Sequence, residues 1–155
     1  MRRSDREITD MTLIEKFISA EKILRVGFSD NGEVYIVPVN YGYKQNNGKY
    51  TFYFHGAKAG RKYELTTASP LVGFEIDGGY CLQEADTACG HSAKYQSVIG
   101  TGRLSLIDNN EEKREAFERI MFQATGKTGW DYPDKAIDAT AVYRLEADKI
   151  SCKAK

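Results

Sequence analysis

The densest set of chemically competent residues runs from His55 to Lys62, where the sequence reads His-Gly-Ala-Lys-Ala-Gly-Arg-Lys. Three permanent cations and two glycines occupy these eight positions. Glycine lets backbone N–H groups approach an anion closely, and arginine offers paired donors to phosphate oxygens. A helix that began here would add partial positive charge. The segment therefore predicts a site for a phosphorylated small molecule, with a solvated basic turn as the alternative.

The spacing of the glycines excludes two common phosphate-binding motifs, because neither a Walker A loop nor a Gly-x-Gly-x-x-Gly fingerprint is present. Two strand-like segments carry weaker signals. Pro38 interrupts the donor pattern of Val37–Tyr41, which indicates a bulge or an edge where a planar ring could stack against exposed backbone groups. Residues Tyr95–Gly100 offer hydroxyl and amide groups at the start of a strand. Ordinary barrel strands are the alternative for both segments.

Composition limits the remaining classes of function. The chain has 155 residues, with 22 Lys and Arg against 22 Asp and Glu, so no net charge favours nucleic acid or an anionic membrane. No apolar run is long enough to span a membrane, and acidic residues follow the N-terminal arginines where an export signal would be apolar. Cys81, Cys89 and Cys152 form an odd set without Cys-x-x-Cys spacing, which favours a reducing, bacterial cytoplasm. The spacing of the cysteines and histidines does not match a zinc site, whether the set is Cys81, Cys89 and His91 alone or includes His55. We therefore expect no metal.

The pattern of apolar residues predicts a single domain over residues 1–155, mainly β with flanking helices. We expect a first helix over about 12–21 behind Asp10, a short helix over 60–68, and a third helix from Asn109 or Asn110 to Gly126. Residues 80–93 have no period and predict a loop, while Gly100 and Gly102 indicate a bulge or sharp bend. Six strands in hairpin order favour a closed or partly split antiparallel barrel; they cover about 23–28, 34–43, 50–55, 71–77, 95–106 and 139–153.

Five segments in this order resemble the nitroimidazole-resistance (Nim-like) branch of the pyridoxamine phosphate oxidase-like, FMN-binding split-barrel proteins. The resemblance covers roughly residues 2–150 and rests on these segments: Asp5–Ile8, Tyr35–Tyr41, Phe52–Ala57, Gly60–Lys62 and Tyr95–Gly102. It implies a six-stranded Greek-key split barrel that forms a homodimer, with flavin at the subunit interface. FMN is the implied cofactor, and FAD is the alternative.

The resemblance also implies roles for individual residues. Arg61 and Lys62 would bind the FMN phosphate, with Gly60 allowing close approach. The strand of Val37, Pro38, Val39 and Asn40 would lie along the isoalloxazine ring. His55 and Ala57 would border the cofactor, and Tyr95 and Ser97 would contact it from a later strand. His55 would lie near the reactive face of the flavin, where it could protonate a nitro oxygen.

The implied function is a flavin-dependent oxidoreductase that reduces small molecules such as nitroimidazoles or nitroaromatics. One alternative is a non-catalytic protein that binds flavin or haem, for which His55 and His91 are the only histidines. A second alternative is pyridoxamine 5'-phosphate oxidase activity. The C-terminal segment disfavours it, because it lacks the Arg-x-His signature of those oxidases. Arg2, Arg3 and Arg6 predict a solvated or dimer-crossing segment.

Overall fold

The computed structural model describes residues 4–155; the expectation for Arg2 and Arg3 therefore lies outside the described residues. Arg6 is partly buried, and its Nη1 donates to the Tyr95 hydroxyl over 3.1 Å. Within the described part of the chain there are eight strands: β1 Glu7–Ile8, β2 Ile23–Asp30, β3 Glu33–Asn40, β4 Gly42–Asn46, β5 Lys49–Ala57, β6 Leu71–Gln83, β7 Ser92–Leu106 and β8 Thr140–Ala154. Four helices flank them: α1 Met11–Ala20, α2 Arg61–Ala68, α3 Asn110–Thr125 and α4 Asp134–Ala139.

The strands form one antiparallel sheet in the order β3-β2-β6-β7-β8-β5-β4, and β1 adds to β8. Alternate residues of the central strands face a common core, whose largest side chains include Phe52, Phe54, Phe74 and Tyr143. β3 lies near β5 but pairs only with β2 among the described strands. This is the split barrel that the sequence predicts.

The expected number of strands, six, is wrong, for two local reasons. β1 has only two residues, so it carries no pattern that a sequence could reveal. The segment predicted as one strand over 34–43 is divided at Tyr41, where the chain leaves β2 and begins to pair with β5. The Tyr41 phenol is buried there and donates to the Ile18 carbonyl over 2.6 Å.

The predicted loop over residues 80–93 is confirmed for residues 84–91, but its two ends are strand. β6 continues to Gln83 and β7 begins at Ser92, so the two strands form an exposed two-stranded arm beyond a register shift between Gly78 and Cys81. Tyr80 and Leu82 are both exposed on it. Because neither face of the arm is buried, its sequence lacks the alternation that marks a strand against a core.

The helix predictions for α1, α2 and α3 are confirmed. Asp10 caps α1 by accepting from Thr12 N over 2.8 Å, and Asn109 caps α3 by accepting from Glu112 N over 3.0 Å. Gly126 ends α3 in a left-handed conformation, with φ of 71°. α4 has six residues and was not predicted. No helix of the described residues is long and apolar enough to cross a membrane.

Two glycine-dependent contacts shape the sheet. The predicted bulge is confirmed by a register shift between Thr101 and Gly102 where β7 meets β8. On the opposite side of the sheet, α3 lies directly on β4, because a Cβ at Gly42 would approach the Arg119 carbonyl carbon to 2.3 Å. A second, smaller core under α3 is formed by Tyr53, Ile107, Ala116, Ile120 and Val142.

Candidate functional site

The junction between β5 and α2 brings His55, Arg61 and Lys62 together. β5 is built of aromatic residues whose side chains alternate between the barrel core and α3. Ala57 ends the strand, and Gly60 sets the first turn of α2 with φ of 92°, a conformation that favours glycine. The strand and the helix thus place the predicted basic residues at one corner of the barrel.

Lys62 is a half-buried cation without a carboxylate partner. Its Nζ lies 5.3 Å from the centre of the Phe54 ring and 4.8 Å from that of Tyr143, and it donates to the His55 carbonyl over 3.4 Å. Among the described residues, no ion pair joins Lys62 to an acid, and burial lowers the pKa of its amine. A charge held in this way is suited to an external anion.

Gly56 makes room for that amine. A Cβ at Gly56 would lie 2.8 Å from Lys62 Nζ, closer than side chains normally approach. The glycine of the His-Gly-Ala segment therefore has a local explanation, which is that the lysine amine lies directly on the backbone of β5.

Arg61 is held from three directions. Its Nε donates to Asp30 Oδ2 over 2.7 Å, and its Nη2 donates to Glu33 Oε2 over 3.0 Å. The guanidinium carbon also lies 4.9 Å from the centre of the Tyr35 ring. Arg61, the residue predicted to bind phosphate, is thus already paired with two acids of the β2–β3 hairpin.

His55 extends from the other face of β5, toward α3. Its ring lies 5.5 Å from that of Phe117, which stacks on Tyr132 at 5.7 Å. Partial burial and the nearby Lys62 charge lower the pKa of His55 below its ordinary value of 6.5. The imidazole is therefore mainly neutral at pH 7, with one N–H to donate and one nitrogen to accept.

The candidate ring-binding strand, Val37–Asn40, lies on an open edge of the sheet. β3 pairs with β2 in uninterrupted register, and Pro38 lies opposite Arg25. Since proline has no N–H to give, Pro38 belongs to the residues whose backbone groups point away from β2, together with Ile36 and Asn40. Val37 and Val39 turn their side chains toward the core. The edge predicted from Pro38 is confirmed.

Tyr95 and Ser97 are not brought to this junction within one chain. Ser97 pairs with Asp77 of β6. The pairing of β6 with β2 places Asp77 beside the start of β2. Arg61 instead binds Asp30, at the end of β2. β2 has eight residues, so its two ends are about 23 Å apart.

Several residues around the junction were not expected from the sequence. Asp30 and Glu33 flank the turn of the β2–β3 hairpin, and no sequence motif links them to Arg61 or links Phe117 to His55. The contacts of Arg61 with the two acids and of His55 with Phe117 join residues 28 to 62 positions apart, and no local pattern reports them. A cavity of about 1040 Å³ between α1, β4 and α3 contains none of the predicted site residues.

Comparison with known proteins places the chain in a family. The family model described as pyridoxamine 5'-phosphate oxidase matches residues 10–154. The chain belongs to the pyridoxamine 5'-phosphate oxidase-like family. A search of curated proteins finds no match.

Solved structures of other split-barrel proteins resemble this family member closely. A candidate 5-nitroimidazole antibiotic resistance protein from Bacteroides thetaiotaomicron is 30% identical, with 96% of this chain and 86% of that chain covered and a TM-score of 0.83. A flavocytochrome from Azotobacter vinelandii is 23% identical, with coverage of 100% and 72% and a TM-score of 0.80. An FAD and haem binding protein from Mycobacterium smegmatis is 14% identical, with coverage of 97% and 73% and a TM-score of 0.76. The first of these supports the predicted family branch, and the other two show the fold.

Proposed function

We propose that this protein binds FMN, with the phosphate at the β5–α2 junction. The observation that carries the proposal is the Lys62 amine, which is half-buried, lacks a carboxylate partner and lies beside Arg61. A phosphate would meet Lys62 as a point charge and Arg61 as a planar donor. Gly56 makes room for the Lys62 amine, and Gly60 leaves the backbone open at the start of α2. The residues present therefore fit the phosphate of a flavin, and FAD would need further space for its adenylate.

The open edge of β3 is the proposed support for the isoalloxazine ring. The backbone groups of Ile36, Pro38 and Asn40 that point away from β2 offer donors and acceptors at fixed spacing. Val37 and Val39 fill the core beneath them, so the strand is rigid. In this arrangement β3 would orient the ring, while His55 and Ala57 border it from the end of β5.

We further propose a homodimer with flavin at the subunit interface. Tyr95 and Ser97 are about 23 Å along the sheet from the Arg61 end, so a second subunit is the simplest way to add them to one site. The outer face of the sheet carries an exposed apolar surface that a partner would cover. This surface surrounds the paired Gly27 and Gly73 and consists of Val34, Ile36, Leu71 and Ile99.

The proposed activity is the reduction of small molecules, such as nitroimidazoles, by a bound flavin. The flavin would supply hydride and electron transfer. In its protonated form His55 would donate a proton to an oxygen of the substrate and return to the neutral imidazole, and Phe117 would fix the plane of its ring. Support for the nitro substrate comes from the 30% identical protein of Bacteroides thetaiotaomicron.

Ligation of haem by both histidines of one chain is not supported by the fold. His91 directly precedes β7, and β7 has 15 residues. The last of these, Leu106, pairs with Tyr143, next to the Val142 that pairs with His55. The two imidazoles are therefore at opposite ends of a long strand, too far apart to bind one iron.

The test is an absorption spectrum of the purified protein, followed by heat release and chromatography of any coloured ligand. We expect the bands of an oxidised flavin and the release of FMN, and then NADH- or NADPH-driven reduction of a nitroimidazole that His55→Gln slows. A protein that is colourless and also takes up no added FMN would refute the proposed function. A Soret band on titration with haem, without flavin uptake, would replace it with haem binding.

A further inference from the structure

We propose that Asp30 is a positioning residue that orients Arg61 toward a phosphoryl group, and that Glu33 opposes the binding of that group. The inference rests on the proposed function, because it concerns the same phosphate site. Neither acid belongs to the segments in which the site was predicted.

The first step concerns the geometry of the guanidinium. Arginine has two donor forks, one formed by Nε and Nη2 and the other by Nη1 and Nη2. Asp30 accepts from Nε, and Glu33 accepts from one of the two N–H groups of Nη2. Among the described residues, no acceptor binds Nη1 of Arg61. Nη1 therefore keeps both of its N–H groups, and Nη2 keeps one, for the oxygens of a phosphate.

The second step concerns how Arg61 is held. Its guanidinium lies over the Tyr35 ring at 4.9 Å, which fixes one face, and Asp30 fixes the Nε edge. The Asp30 side chain is 22% exposed and ends β2, so the backbone of the hairpin sets its place. Loss of this contact would let the long arginine side chain sample other rotamers, and a phosphate would then have to order it.

The third step separates the two acids. The Glu33 side chain is 76% exposed, so solvent rather than packing surrounds its end of the ion pair. An exposed ion pair contributes little to orientation, but its negative charge still acts on an incoming phosphate at close range. Asp30 therefore positions Arg61, whereas Glu33 mainly reduces the positive potential of the site.

The test compares dissociation constants for FMN and for riboflavin, which lacks the phosphate. Asp30→Ala should weaken FMN binding by about 3- to 10-fold although it removes a negative charge, because Arg61 loses its orientation. Asp30→Asn keeps an oxygen acceptor for Nε and should restore the affinity of the wild type. Glu33→Gln should strengthen FMN binding by about 2- to 5-fold. Riboflavin affinity should stay unchanged in all three variants.

The control is Glu115→Gln, which removes the acid of a different exposed arginine pair, with Arg119 on α3. It should leave both dissociation constants unchanged. If Asp30→Ala binds FMN as well as the wild type or better, the positioning role is wrong, since only charge would then matter. If Asp30→Ala weakens FMN and riboflavin equally, the acid supports the fold rather than the phosphate site, and the inference is again wrong. A wild type that binds neither flavin would overturn the proposed function together with this inference.

Discussion

Two concave regions of the molecule differ in how their charges are used. The cleft between α1, β4 and α3 has a volume of about 1040 Å³, and three of its charged residues, Lys44, Glu115 and Arg119, pair with one another. At the β5–α2 junction, Lys62 lies half-buried and has no acid as a partner among the described residues. Size alone would select the cleft, whereas charge selects the junction.

The side chains that line the cleft hold α3 against α1 and β4. Glu115 binds Arg119 over 2.8 Å and lies 4.0 Å from Lys44, and Lys22 donates to the Gln123 carbonyl over 2.6 Å. The two N–H groups of the buried Gln123 amide are shared among three carbonyls at the end of α1, those of Ile18, Ser19 and Glu21. These contacts join α3 to α1, and they leave no buried polar group directed at a ligand.

The difference teaches that an incomplete electrostatic environment is a better guide to a site than volume. A partly desolvated ammonium without a counter-ion is costly to the folded protein, so its presence indicates a partner that arrives from outside. In the cleft, Glu115 pairs with Arg119 and Lys44, and the Lys22 amine donates to the Gln123 backbone carbonyl over 2.6 Å. Variants in the two regions should therefore affect different properties, which are flavin affinity at the junction and the free energy of unfolding at the cleft.

The largest effect is expected for Gly42→Val, on the cleft side. Even a Cβ at this position would lie 2.3–2.5 Å from backbone atoms of Arg119 and Ile120, so α3 must move off β4. We expect a loss of about 3 kcal/mol in the free energy of unfolding, measured by urea denaturation. Lys44→Ala, at an exposed pair in the same cleft, should cost less than about 1 kcal/mol. Equal losses in the two variants would contradict the packing role of Gly42.

The next effect is expected at the junction, for Lys62→Met. Removal of the amine should weaken FMN binding by about 10- to 100-fold, the value of a hydrogen bond to a charged group, and leave riboflavin binding nearly unchanged. The folded protein should not become less stable, because the variant removes a partly buried charge. The matched control is Lys58→Met in the same basic segment, whose Nζ donates to the Asp138 carbonyl. FMN affinity that falls equally in both variants would place the phosphate elsewhere.

The architecture was predictable wherever one face of an element is buried. Helix caps at Asp10 and Asn109 and the edge indicated by Pro38 are local signals, and the structure confirms each of them. β1 was not predictable, because its two residues form a strand only by pairing with Lys153 and Cys152. The exposed β6–β7 arm also carries no periodic pattern, since its register comes from the strands that precede it.

The site was predictable to the extent that it is contiguous in sequence. His55, Arg61 and Lys62 are within eight positions, so one strand and one helix bring them together. The partners of Arg61 are Asp30 and Glu33, about 30 positions away across the sheet, and they depend on which strands are neighbours. The roles of Tyr95 and Ser97 remain predictions, because they would require a second subunit.

A smaller effect is expected for Gln123→Met, which removes the amide that joins α3 to α1. The variant removes a donor from the Ile18 and Ser19 carbonyls, which keep Tyr41 and Lys22 as donors, and it removes the donor that binds the Glu21 carbonyl. We expect a loss of about 1–2 kcal/mol in the free energy of unfolding. Gln45→Met, in the same cleft, should cost less, and neither variant should change FMN affinity. If Gln123→Met is fully folded but no longer binds flavin, the cofactor belongs to the cleft rather than to the β5–α2 junction.

The smallest effect is a shift in the pKa of His55. This residue lies on the opposite face of β5 from the Lys62 amine. Burial and the Lys62 charge both lower the pKa of His55, so it titrates below 6.5, and the proton it carries is lost as the pH rises through that value. Lys62→Met removes the repulsive charge and should raise the pKa toward 6.5, as measured by NMR with His55→Gln to assign the signal. Lys58→Met should leave the titration in place. If the His55 pKa does not rise in Lys62→Met, the imidazole and the amine are not electrostatically coupled. His55 would then not belong to the same site as Lys62.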